Sequence, residues 1–156
     1  MIELQNKSPK ILVIGDLMID HYLWGSCDLI SPEAPVQVIN VESESTMLGG
    51  AGNVINNLKA LGAQVDVIGV VGNCKTSDEL KELLSDIEVD TQYLITQKNR
   101  ITSKKSRIIA SQQQVVRYDR ESSDEIDIES QSIITVSYTH LRAHETRHDL
   151  VCRLLL

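Results

Sequence analysis

The stretch "GGAGNVINNLKALGA", Gly49–Ala63, decides the fold. Val54, Leu58 and Leu61 fall at i, i+4 and i+7, and Gly62 stands where a C-terminal stop belongs, so Asn53–Leu61 reads as a helix with one apolar stripe. Gly49, Gly50 and Gly52 come immediately before it, where the first N–H groups of a helix lack intrahelical partners and point outward. Such a place suits phosphates or sugar hydroxyls.

Two short apolar runs flank this helix. "ILVIG" (Ile11–Gly15) and "VDVIGVVG" (Val65–Gly72) are continuous and rich in β-branched residues, as parallel strands covered on both faces are. Strand, helix and strand make a β-α-β unit with a right-handed crossover expected. A second helix follows, with Thr76 and Glu79 at capping-box spacing and Leu80, Leu83, Leu84 and Ile87 as its apolar stripe. The fold class is α/β.

The segment Tyr22–Leu48 is too long for a strand-to-helix loop. It contains "VQVINVE", where Val36, Val38 and Val41 roughly follow strand period after Pro32 and Pro35, and it reads as an inserted β excursion. "SRIIAS" (Ser106–Ser111) and "QVVRYD" (Gln114–Asp119) repeat the signal across a polar turn at Gln112 and Gln113. Residues about 22–48 and 101–119 are therefore expected to form a small β lid beside the α/β core. The acidic stretch Glu121–Glu129 reads as a solvated loop leading into a helix.

The texture changes after Val136. Residues 137–156 hold three of the four histidines and three arginines against Glu145 and Asp149, a small positive charge beside a strongly negative remainder. Residues 1–136 are expected to be native, and 137–156 to be a tail like those produced when adapter DNA is read through in an arbitrary frame. Within that tail "HETRH" (His144–His148) matches the H-E-x-x-H zinc-protease pattern, with His140 a turn earlier and Glu145 as the would-be base. A catalytic zinc needs a third protein ligand, and Val151 and Leu154 stand where the longer pattern has glycine and histidine. No metal site is expected.

Composition narrows the function classes. At 156 residues and 42% apolar side chains the chain fills one modest core, with no room for a second complete domain. A net charge of -7 repels phosphate backbones, so neither nucleic acid nor an anionic membrane is an expected partner. Apolar runs are far shorter than the about 20 residues of a membrane span. Cys27, Cys74 and Cys152 are odd in number without C-x-x-C spacing, and no signal-peptide h-region precedes the first strand, so a cytoplasmic setting is expected.

The turn after the first strand, "GDLMID", carries Asp16 and Asp20 where a dinucleotide's pyrophosphate would lie, and two carboxylates there would repel it. A G-x-x-x-x-G-K-[ST] loop is also lacking. Ionised Asp accepts hydrogen bonds and Asn both donates and accepts, so Asp20 and Asn53 suit adjacent sugar hydroxyls; equally, Asp20 could cap a turn and Asn53 the helix.

"ILVIGDLMIDHYLWG", "ISPEAPVQV", "GGAGNVINNLKALGA" and "VIGVVG" together resemble the N-terminal half of the ribokinase-like (PfkB) sugar kinases. "SPEAPV" and "QQQVVRYDRE" are most similar to the branch acting on D-glycero-β-D-manno-heptose 7-phosphate, with coverage from about Lys10 to at least Asp119. The resemblance implies the N-terminal half of a three-layer fold with a small β lid. It implies ATP-dependent phosphorylation of the phosphorylated heptose at O1, with ATP and Mg²⁺ used by the parent enzyme and none bound by this chain. Asp20 and Asn53 would hold sugar hydroxyls, with the Gly49 and Gly50 backbone close to the substrate. Asp16 matches the first acid of the family's G-D strand end. Lys105, Arg107 and Arg117 match basic positions that could pair with the 7-phosphate, and the lid would serve as a homodimer interface.

The family's catalytic base lies in a C-terminal G-A-G-D motif, and no glycine follows Gly72 here. No catalytic residue is therefore assigned. The chain is expected to be a truncated product, inactive alone, and the alternatives are another ribokinase-like sugar kinase or a non-catalytic sugar-binding or dimerisation module.

Overall fold

The computed structural model describes residues 8–144 and 152–153, with side chains through Leu141. Its core sheet has the order β5-β4-β1-β8, built from β1 (Lys10–Ile14), β4 (Gln64–Gly72), β5 (Leu94–Gln97) and the two-residue β8 (Cys152–Arg153). All of its pairings are parallel, with Val13 beside Val67 and Ile14 beside Ile68. Val67 and Ile68 are successive and so point to opposite faces, yet both are fully buried. This two-sided burial is why the two runs are apolar without alternation.

One face is covered by α1 (Ala51–Ala60) and α2 (Lys75–Asp86), whose Ile55, Leu80 and Leu84 join Val13, Val65, Val67 and Val71 in one apolar cluster. The helix α3 (Ile128–His144) packs against β4 and β5. It runs without interruption through positions 136 and 137. Glu145–His148 of HETRH lie outside the described residues, and no side chain is described for His144. No helix among the described residues is long and apolar enough to cross a membrane.

The second sheet is the lid, in the order β3-β2-β6-β7. It comprises β2 (Leu17–Ile30), β3 (Gln37–Gly50), β6 (Ser103–Ala110) and β7 (Gln113–Arg120). β2 and β3 form a long antiparallel hairpin, β6 adds parallel to β2, and β7 returns antiparallel. The lid thus starts at Leu17 rather than Tyr22, and "LMID" is strand rather than turn. Leu17 and Ile19 explain the difference, because both sink into the apolar cluster and anchor the base of the hairpin. The β6–β7 turn is Ser111–Gln112, one residue earlier than the polar pair suggests, with both residues at positive φ. That is the geometry whose twist matches a two-residue hairpin.

The capping box at Thr76 does not form. α2 begins at Lys75 with Cys74 as its N-cap and no side-chain cap, so Thr76 lies inside the first turn. The polar work there falls to Ser77, buried and bonded to the Gly72 carbonyl and, at 2.8 Å, to the Thr102 hydroxyl. Thr102 Oγ1 in turn accepts from the Gly72 N–H at 2.8 Å. Burial pushes the Cys74 thiol up, but hydrogen bonds with Ser77 and Thr102 outweigh it and bring the thiol down to about 7.

Candidate functional site

The lid sheet and the start of α1 meet at Asp16–Asp20. Asp16 acts through its backbone: its carbonyl accepts from the Ala51 N–H at 2.9 Å, while its side chain is exposed. Gly50 is the N-cap of α1 at φ 57°, a left-handed conformation that side chains with a Cβ adopt at a cost. A Cβ there would also lie 2.6 Å from that same Asp16 carbonyl. Beside it, the space a Gly49 Cβ would need is taken by the Asp20 carboxylate and Met18. The backbone thus requires glycine at Gly50, whereas a Cβ at Gly49 would have to displace the Asp20 carboxylate and Met18 side chain.

Asp20 sits in the interior of β2, and neither local role read from residue type alone applies to it or to Asn53. Asp20 caps no turn, because it is mid-strand; Asn53 does not cap α1, because the N-cap is Gly50 and no side chain caps it. Asn53 is exposed in the first turn of α1. Asp20 instead accepts a hydrogen bond from Arg107, 87 residues away, and the two form a half-buried ion pair.

Strand alternation places the other basic residues on the same side. Asp20 is level with Lys105 on β6, and Lys105 with Asp119 on β7; two residues along, Tyr22 is level with Arg107, and Arg107 with Arg117. Lys105, Arg107 and Arg117 therefore share one face with Asp20. The Arg107 guanidinium lies 5.2 Å from the centre of the Tyr22 ring, within cation–π reach, and Tyr22 stacks on Trp24.

Each cation already has an acidic partner. Arg117 grips Asp119 with two bonds, Nε to Oδ1 at 2.8 Å and Nη2 to Oδ2 at 2.5 Å. Lys105 lies 3.6 Å from both Asp119 and Glu121. The Arg117 hydrogen bond, ahead of the charges of Arg117 and Lys105, holds the Asp119 carboxyl below the usual carboxylate value, and the same bond pushes Arg117 up. Sequence reading did not single out Asp119, Tyr22 or Glu121. The alternation in "RYD", which puts Arg117 and Asp119 on one strand face, was the available signal for Asp119.

On the opposite face of the lid His21 bridges strands, its Nδ1 3.2 Å from Ser106 Oγ and its Nε2 3.2 Å from Glu44. Ser106 is buried, so this trio braces the sheet and offers no open nucleophile. Among the described residues no three His, Cys, Asp or Glu side chains group as metal ligands.

Residues 8–144 match the family model described as pfkB family carbohydrate kinase. Over 125 residues, 80% of the chain, it is 68% identical to "Bifunctional protein HldE" of Aliarcobacter butzleri, and over 148 residues, 95% of the chain, 54% identical to that of Sulfurimonas denitrificans. These stretches make up 26% and 30% of the relatives, so the chain spans little more than a quarter of their length. The fold is similar to Arabidopsis thaliana ribokinase, solved with ribose and ATP, at TM-score 0.56 and 17% identity over 82% of this chain and 43% of that one. A carbohydrate kinase of Agrobacterium tumefaciens gives TM-score 0.52 at 22% identity over 72% of this chain and 35% of that one. The three-layer α/β expectation accordingly stands as a ribokinase-like fold, and the chain belongs to the pfkB family of carbohydrate kinases.

Proposed function

We propose that this chain carries the sugar-recognition part of a kinase that phosphorylates D-glycero-β-D-manno-heptose 7-phosphate at O1. The observation that supports this best is the shared lid face, where a carboxylate suited to hydroxyls, Asp20, stands among three cations suited to a phosphate, Lys105, Arg107 and Arg117. Asp20 and Asn53 accept and donate to the sugar hydroxyls, and Gly49 and Gly50 keep the strand end free of side chains at the mouth of α1. Asp16 holds that mouth in place through its carbonyl. The likeness to the two HldE proteins supports the heptose reading over another sugar of the family.

ATP and Mg²⁺ would serve the parent enzyme. No glycine follows Gly72, so the glycine-rich anion loop of the family's C-terminal motif is not among these residues. No phosphoryl-transfer step is therefore assigned to these side chains, and the chain alone is expected to show no turnover.

Calorimetric titration tests the reading. Heptose 7-phosphate should bind at one site, the unphosphorylated heptose at least tenfold more weakly, which is about 1.4 kcal/mol of phosphate recognition. Asp20→Asn should lose both sugars. Equal affinity for the two sugars would defeat the phosphate assignment.

The second reading, a lid-mediated homodimer, is favoured by the exposed Val116 and Tyr118 at the lid edge, with Leu23 and Ile108 level with Val116 on the same face. Light scattering after size exclusion should give twice the chain mass, and Val116→Lys should return it to the monomer.

A further inference from the structure

Rows of the lid face run Asp20, Lys105, Asp119 and then Tyr22, Arg107, Arg117. The two aspartates in the first row are not held alike. Asp20 is on the inner strand β2 and is bound by one guanidinium, that of Arg107. Asp119 is on the edge strand β7 and is bound by two cations, through the Arg117 fork at 2.8 and 2.5 Å and Lys105 at 3.6 Å. A planar fork plus a point charge on one acidic group is the arrangement that holds a phosphate, with two parallel N–H bonds from arginine and a third contact from an ammonium.

We propose that Asp119 is a resident anion, holding the place of the substrate's phosphate group, and that the phosphate binds by exchange with it. The inference rests on the reading of this face as a phosphorylated-sugar site. Arg107 and Arg117 are directly opposite in register, a like-charge pair that destabilises a sheet, and Asp119 offsets that repulsion while the site is free of ligand. Every residue of β7 is exposed, so the carboxylate can swing into solvent without disturbing the core. The exchange also sets selectivity. A bare phosphate must displace Asp119 with nothing else to gain, whereas a phosphorylated sugar adds hydroxyl contacts at Asp20.

Titration of the 156-residue chain with inorganic phosphate and with heptose 7-phosphate tests this. Asp119→Asn keeps the size of the side chain and removes its charge. Losing a unit negative charge about 4 Å from the phosphate should tighten both ligands by roughly five- to tenfold, and leave the unphosphorylated heptose unchanged. In the wild-type chain, the Asp119 carboxyl carbon resonance should move during saturable phosphate binding, which needs no variant. Phosphate binding that Arg117→Gln weakens but Asp119→Asn leaves unchanged or weaker overturns the exchange while the phosphate site stands. A static Asp119 resonance at saturation does the same. Failure of wild type and Asp119→Asn alike to bind either phosphate overturns the site reading and the exchange together.

Discussion

The two sheets of this molecule are built on opposite terms. In the core sheet, β4 is buried on both faces by apolar side chains, and its specificity is that of packing. In the lid, the face bearing Asp20 is held by ion pairs at the protein surface, and only the base of the hairpin, at Leu17, Ile19 and Leu48, sinks into the core. The core should therefore tolerate little loss of volume, whereas changes in the lid should cost little stability and much recognition.

The largest effect is expected in the core. Ile55→Ala or Leu80→Ala, both fully buried, should cost about 2–5 kcal/mol in urea denaturation, with ligand affinity of the folded fraction unchanged. Gly50→Ala comes next, at the joint between the sheets. Its positive φ and its approach to the Asp16 carbonyl should cost roughly 1–3 kcal/mol and displace the start of α1.

Ser77→Ala should cost about 1–3 kcal/mol, because the buried Gly72 carbonyl and Thr102 hydroxyl both lose a partner. It carries a second readout. With the thiol at about 7, alkylation of Cys74 should follow a pH profile with its midpoint there, and the loss of the Ser77 bond should move the midpoint up. Because the folded value is below the ordinary 9.0, the thiolate's share of stability is present above pH 9 and lost as pH falls through 7.

Lid changes are smaller in stability. Arg107→Gln should shift unfolding by no more than about 1 kcal/mol, since exposed and half-exposed pairs contribute little, yet weaken heptose 7-phosphate at least tenfold. The smallest effect is on acid stability. Asp119 lies below its ordinary value of 3.8, so its pairing contributes above that pH and is lost as pH falls through the depressed value. Arg117→Gln should flatten that limb of the acid unfolding curve with no other change in stability.

The same contrast governs what could be read from the sequence. β1, β4 and the stripe of α2 were legible because burial on both faces, or along one stripe, repeats locally at a fixed spacing; the stripe of α1 was misplaced, since it runs through Ile55 and Leu58 while Leu61 is 82% exposed just past the helix end. The lid strands were legible in kind but not in extent. Leu17 and Ile19 alternate with Met18 and Asp20 as a half-buried strand does, yet they directly follow the G-D of the first strand end and so looked like a turn. The candidate site residues Asp20, Lys105, Arg107 and Arg117 could be named through family resemblance, but their arrangement could not be. The Asp20–Arg107 pair spans 87 positions and depends on β6 entering beside β2, which no local pattern encodes. Thr76 erred the other way: spacing alone matched a capping box, while the chain used the buried Ser77 to tie α2 to Gly72 and Thr102.

The central claim is that one face of the lid recognises a phosphorylated sugar, and chemical-shift mapping with heptose 7-phosphate tests it most directly. The Nε–H signals of Arg107 and Arg117 and the backbone amides around Asp20 and Gly49–Asn53 should shift together with one saturation curve. Shifts confined to β5 and α3, or to the His21 face of the lid, would contradict it.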